Sequence, residues 1–178
     1  MKKKIRYMAL AAFAAVLSAS TAQAVDEDVS KQAQQSIADF KRVDPSLQSF
    51  FSQSAGYAVF PKVGKGGFIV GGAHGDGRVY EKGKLVGRAT MTQASIGAQA
   101  GGQTFAEVIF FESQAALNDF KAGKFELSAE VSAVVAAEGA SKTAKYKQGI
   151  AVFTMPLKGV MVQASVGGQK FKYAPESL

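Results

Sequence analysis

One carboxylate is set apart by its neighbours. In Phe105-Ala106-Glu107-Val108-Ile109-Phe110-Phe111, the two-residue alternation of a strand puts Glu107 on one face with Phe105, Ile109 and Phe111. If that face turns inward, an ionised side chain there needs a hydrogen-bonded partner or a raised pKa. Two roles fit such a residue: tying strands together through backbone donors or a nearby lysine, or meeting a ligand. The other reactive side chains are few. His74 is the only histidine and cysteine is absent, so neither a Cys/His pair nor a zinc cluster can be assembled. No serine lies in a Gly-x-Ser-x-Gly elbow. Gly64-Lys65-Gly66-Gly67 has the glycines of a phosphate loop but lacks the terminal Gly-Lys-Ser/Thr, and it reads as a β-turn. No catalytic residue, metal site or cofactor is expected, and the chemistry points to a binding protein rather than an enzyme.

The elements that must position Glu107 divide into a helical lead-in and a glycine-rich body. Val29, Ala33, Ile37 and Phe40 recur at helical spacing, with Lys31, Gln34, Gln35 and Asp39 opposite. Asp44 as an N-cap and Pro45 at the first helical position announce a second short helix, which completes an amphipathic helical hairpin. After Gly56 the period becomes two. Strands are predicted near residues 57–60, 67–73, 78–82, 85–90, 93–100 and 104–111, with turns at Asp76-Gly77 and Lys82-Gly83-Lys84. The spacing of Ala115, Ala116, Leu117 and Phe120 predicts one short inserted helix over 112–121, stopped by Gly123. Alternation from Phe125 to Ala137 predicts a long strand, followed by strands over 149–154 and 159–166 and a short edge over 170–173. His74 falls at the expected Asp76-Gly77 hairpin end, as an exposed turn residue.

Two internal echoes bind this body together. Met91-Thr92-Gln93-Ala94-Ser95 returns as Met161-Val162-Gln163-Ala164-Ser165, and Gly56, Ala58, Val59 and Phe60 return as Gly149, Ala151, Val152 and Phe153. Related glycine-bearing hairpins of this kind favour tight curvature. The expected class is α+β: a glycine-rich antiparallel β-barrel or strongly bent sandwich with an N-terminal amphipathic helical hairpin and one short inserted helix.

The first 24 residues have the three parts of a secretory signal. Lys2, Lys3, Lys4 and Arg6 precede an apolar run from Tyr7 to Leu17, and Ala22-Gln23-Ala24 supplies a small-x-small cleavage site. The run is well short of the roughly 20 residues that cross a bilayer. Residues 1–24 are therefore expected to be a signal peptide. Residues 25–178 would form a single domain, with a helical lead-in over 25–56 and a β-rich body over 57–178. Removing the four basic residues of the leader leaves 17 Lys and Arg against 14 Asp and Glu, so the formal charge of +7 falls to +3. That ordinary balance and the expected export to the periplasm or beyond argue against a nucleic-acid partner.

Gly56-Tyr57-Ala58-Val59-Phe60-Pro61-Lys62, the run Gly64-Lys65-Gly66-Gly67-Phe68-Ile69-Val70-Gly71-Gly72-Ala73, and Ser95-Ile96-Gly97-Ala98-Gln99-Ala100-Gly101-Gly102-Gln103 resemble the lipid-binding SYLF domain of yeast actin-patch proteins and secreted bacterial proteins. The resemblance covers residues 26–173. It implies a non-catalytic domain that binds membrane lipid, in eukaryotic members acidic phosphoinositides, partly through an amphipathic amino-terminal helix. Actin binding belongs to the yeast branch, and export leaves actin without a role unless the protein is delivered to a host. Ala137-Glu138-Gly139-Ala140 and Thr154-Met155-Pro156-Leu157 depart from the eukaryotic pattern, so phosphoinositide specificity is not carried over.

The residues themselves offer a physical route to lipid. Lys31, Lys41, Arg42, Lys62 and Lys65 can attract anionic headgroups, while Val29, Ile37 and Phe40 can enter the interface. The competing expectation is that this apolar stripe packs on the β-rich body, which would move binding to an exposed patch or a cavity. The expected partner is anionic phospholipid or another membrane lipid. The alternative is a structural or stress-protective envelope protein acting through an envelope protein partner. Processing gives the first test: amino-terminal sequencing of exported protein should begin at Val25, and a soluble envelope form retaining Met1 would overturn the cleavage reading.

Overall fold

The computed structural model describes residues 27–64, 72–94, 104–128, 131–158 and 166–176. The expected signal peptide, Lys65, and most of the strands expected over 67–73, 93–100 and 159–166 lie outside these residues. Helix α1 covers residues 27–43, and a 3-10 turn at Pro45–Leu47 leads into α2 (Gln48–Gln53). The strands are β1 (Gly56–Gly64), β2 (Gly72–Glu81), β3 (Lys84–Ala94), β4 (Thr104–Phe111), β5 (Val134–Val135), β6 (Ile150–Lys158) and β7 (Gln169–Pro175); α3 (Gln114–Lys121) follows β4. They form one sheet in the order β5-β6-β4-β1-β2-β3-β7, antiparallel except for the β5–β6 pair. The class is α+β, and the sheet is a strongly bent layer rather than a closed barrel, with β5 and β7 at its two ends.

Both faces of the central strands are apolar, so each face needs a cover. On one face Val59, Val108, Phe110, Ala151 and Phe153 pack with Ala33, Phe40, Leu47 and Phe51 from the helical lead-in. Rings of Phe50, Phe51, Tyr57 and Phe110 meet there with centroids between 4.8 and 5.9 Å apart. On the other face Phe60, Met91, Phe105, Ile109, Phe111 and Phe171 pack together with Leu117 and Phe120 of α3 and with Leu127 and Val131. Phe171 of the edge strand β7 lies 5.7 Å from Phe60 of the central strand β1, so the sheet curls until one end covers its own middle.

Three expectations are corrected. Asp76-Gly77 is no hairpin end: both residues lie inside β2, in register with Thr90 and Ala89 of β3. Gly77 serves close approach instead, because a Cβ there would sit 2.6 Å from both the Phe60 ring and the Val59 carbonyl oxygen. His74 is accordingly an exposed strand residue, with Nε2 3.5 Å from Asp76 Oδ1. The reversal occurs only at Lys82-Gly83, whose φ angles of 49° and 77° make the β2–β3 turn. The long strand expected from Phe125 to Ala137 is also absent. Its chain forms an isolated bridge, Glu126 to Lys170, and then the two-residue β5.

That segment instead straps the open seam of the curled sheet. Leu127 exchanges backbone hydrogen bonds with β7 and its lead-in, its N–H donating to the Gln169 carbonyl at 3.1 Å and its carbonyl accepting from Gly168 N–H at 2.7 Å. Further on, Val134 and Val135 pair with Phe153 and Thr154 of β6, and Ala136 N–H donates to Thr154 at 2.8 Å. The alternation that predicted a strand reflects Leu127 and Val131 plugging the seam, with Glu126 and Ser128 outside. Gly77→Ala should lower stability by roughly 1–3 kcal/mol, because the added methyl overlaps a ring and a backbone oxygen that cannot both retreat. A denaturant midpoint equal to wild type would show that β1 and β2 do not approach so closely.

Candidate functional site

Glu107 is fully buried on the inner face of β4, in register with Phe60 of β1 and Thr154 of β6. Its Oε2 accepts from Gln169 Nε2 at 3.0 Å, and Gln169 opens β7. The contact therefore spans the curl, since β4 and β7 stand four places apart in the strand order. Glu107 Oε1, Thr154 Oγ1 and Gln169 Oε1 are all buried without a protein hydrogen bond. Burial pushes the Glu107 carboxyl up to about 7, against the smaller downward pull of the Gln169 amide. No lysine or backbone donor reaches it among the described residues, so its partner is an amide rather than a charge. A protonated Glu107 adds one donor to a cluster rich in acceptor oxygens, which is why the neutral form suits this site.

A second buried carboxylate behaves oppositely. Asp44 Oδ1 accepts from Ser46 N–H at 3.1 Å and Gly139 N–H at 3.2 Å, and Oδ2 accepts from Ser141 N–H at 2.7 Å. Ser46 Oγ also donates to Asp44, and it lies 2.6 Å from Ser141 Oγ. Burial raises the Asp44 pKa, but the hydrogen bonds from Ser46 and Ser141 together outweigh it and hold the carboxyl below its ordinary value. Its N-cap role was legible from the Asp44-Pro45 pair. Its anchoring of the chain around Gly139 and Ser141, 95 and 97 residues away, was not.

The apolar lipid candidates of α1 face the protein. Phe40 is fully buried, Ile37 packs on the same cluster, and Val29 is half-buried. Lys31 pairs with Glu27 at 2.7 Å, Arg42 pairs with Asp39 at 3.0 Å, and Lys41 Nζ lies 4.9 Å over the Phe51 ring. Lys62 is exposed on β1, in register with Asp76. The helix thus keeps its cations outside and sets its stripe on the sheet, the packing arrangement that was weighed against membrane insertion.

A different set of cations comes together at the β7 edge. A groove of about 630 Å³ between the end of α3, the start of the strap and β7 is lined by Lys121, Lys124, Lys170 and Lys172, with Phe125 and Tyr173 in its wall. Lys121 is held by Glu81 at 2.5 Å, and Lys170 is 3.9 Å from Glu126. Lys124 and Lys172 are exposed and have no ionic partner among the described residues. Sequence reading missed this groove because its cations come from two segments almost 50 residues apart. The alternation Lys170-Phe171-Lys172-Tyr173, cation outside and ring inside, was the one local signal.

Residues 92–176 match the family described as Las17-binding protein actin regulator, Ysc84. Beta cell expansion factor A of Aeromonas veronii is 32% identical over 130 residues, which are 71% of this chain and 49% of that protein. The chain therefore spans about half the length of that relative.

Glu107 makes stability depend on pH with a definite sign. Folded protein holds this proton more tightly than unfolded chain, so its contribution is complete below the ordinary value of 4.5 and is lost as pH rises to about 7. The loss should be of order 3 kcal/mol. Denaturant titrations of wild type and Glu107→Gln at pH 4.5 and pH 8 should show this decline only in wild type; parallel curves would place the carboxylate in contact with water.

Proposed function

We propose that this chain, a member of the SYLF family whose Ysc84-type domain it carries, is an exported, non-catalytic protein that binds lipid at anionic membrane surfaces. Family membership supports lipid binding or actin regulation as the general class. The observation that carries the finer reading is the lysine groove at the β7 edge, where four cations surround aromatic side chains on a concave surface. Clustered lysines attract anionic headgroups at about 1 kcal/mol each near a charged bilayer, and adjoining rings suit the interface between water and acyl chains. The groove takes the place of the α1 stripe, whose apolar residues are already covered by the sheet.

The signal-like sequence of residues 1–24 supports the same reading, because export would bring the protein to a membrane surface and take it away from cytoplasmic actin. The mode of action is binding without turnover. Its partners are anionic phospholipids, with the exposed Lys124, Lys170 and Lys172 as the cations that meet headgroups.

Cosedimentation with vesicles tests the proposal and its location together. Protein should bind phosphatidylglycerol vesicles more strongly than phosphatidylcholine vesicles, and salt should weaken the binding by screening. Joint Lys170→Glu and Lys172→Glu substitution should remove most of the anionic preference. Joint Lys41→Glu and Arg42→Glu substitution should leave it in place; the reverse pattern would move the contact to α1. Absence of binding to either vesicle at low salt would reject the membrane reading in favour of a protein partner.

A further inference from the structure

The other edge of the sheet carries a second concavity that shares no residue with the lysine groove. β6 is covered there in two places. Lys147 and Ile150 exchange backbone hydrogen bonds at 2.8 and 3.1 Å, and β5 pairs at Phe153 and Thr154. Between them opens a pocket of about 360 Å³ with apolar walls that include Val131, Val134, Ala144 and Val152. Among the described residues Lys145 and Lys147 are the ionisable side chains that line it, and both are exposed. The lining is therefore mostly hydrocarbon, with two cations and the hydroxyls of Ser132 and Thr143 beside it.

We propose that this pocket binds one acyl chain ending in an acid group, so that its ligand class is the single-chain anionic amphiphile, a fatty acid or a comparable monoacyl lipid. The inference rests on the reading of the protein as lipid-binding and assigns a separate site within it. The volume lies near the lower end of small-molecule sites, which span about 300–1,000 Å³, and this suits one chain better than the two of a phospholipid. The lysines select the charge, since among the described residues no carboxylate lines the pocket to receive a cationic headgroup. The walls are preformed. Asp44 grips Gly139 and Ser141 at the start of one wall, the Lys147–Ile150 pair fixes its end, and Ala136 ties the opposite wall to Thr154. A site held this way loses little chain entropy on binding.

The probe is laurate, titrated calorimetrically into purified protein below the concentration at which it forms micelles. Dodecyltrimethylammonium serves as a control with the same chain length and opposite charge. Saturable 1:1 laurate binding with no comparable binding of the cation is expected. Joint Lys145→Glu and Lys147→Glu substitution, at exposed positions, should weaken laurate by about tenfold or more. Ala144→Phe should abolish binding by filling the pocket, with circular dichroism confirming an unchanged fold. If that variant does not fold, the lysine pair decides alone. Absence of 1:1 binding, equal binding of the cation, or laurate affinity unmoved by the lysine reversal overturns the assignment. The joint Lys170→Glu and Lys172→Glu variant should bind laurate normally. In the wild-type protein, absence of vesicle binding with 1:1 laurate binding present rejects the surface reading alone, whereas absence of laurate binding with vesicle binding present rejects the pocket alone.

Discussion

The sheet is organised around strands that are apolar on both faces. From Phe105 to Phe111 every residue of β4 is buried, and so is the run from Gly56 to Pro61 in β1. Strands like these cannot leave either face to water, because each large side chain left exposed forfeits roughly 1.5–3 kcal/mol of burial. The helical lead-in covers one face. The chain covers the other with α3, with Leu127 and Val131, and by curling the sheet, so that Phe171 of β7 meets Phe60 of β1 and Gln169 reaches Glu107 of β4. Glu107 is an outcome of that closure. It sits where the curl meets itself, and among the described residues the Gln169 amide is the group that donates to it there. A carboxyl in this position is neutral more readily than charged, and the fold tightens when it holds its proton.

Closing the curl leaves a seam, and the way the seam is bridged creates the two concave surfaces proposed as lipid sites. A continuous strand over the seam would have completed a barrel and paired both edges. Among the described residues, the strap's backbone pairs with β7 and its lead-in around Glu126 and Leu127 and with β6 around residues 134–136. Beside the first contact lies the lysine groove, and beside the second lies the apolar pocket with lysines at its rim. Residues 92–176, the span matched by the family, contain the strap, β4, β6 and β7, the whole pocket and every lysine of the groove. Helix α1 and the β1–β2 pair lie outside that span and supply cover and support.

Asp44 connects the helical cover to this arrangement. Its carboxylate accepts from Ser46 in the lead-in and from Gly139 and Ser141 beyond the strap, so displacement of α1 and α2 would loosen one pocket wall. Because its pKa is lowered while that of Glu107 is raised, the two buried carboxylates respond to pH with opposite sign, Asp44 destabilising the fold as pH falls and Glu107 as it rises. The protein is thereby held between acid, where Asp44 loses its ionised form, and neutrality, where Glu107 gains one.

The sequence alone determined the local elements and the class. Helical spacing from Val29 to Phe40, the Asp44-Pro45 cap, the Lys82-Gly83 turn and the unbroken alternation through Glu107 each follow from steric and hydrogen-bonding rules that act within a few residues. The echo of Ala58-Val59-Phe60 in Ala151-Val152-Phe153 also proved structural, for β1 and β6 flank β4 on its two sides. Which way those residues point was a tertiary decision. Ala58 pairs with Ile109 but Ala151 pairs with Phe110, and that one-residue offset sends Phe60 to the inner core and Phe153 to the helix-covered face. Gly77 is a similar case, since a glycine that permits a turn and a glycine that admits a neighbouring ring look alike in sequence. The lysine groove and the pocket could not be read in advance for the same reason: their walls come from segments far apart in the chain, and only the curl of the sheet and the path of the strap bring them together.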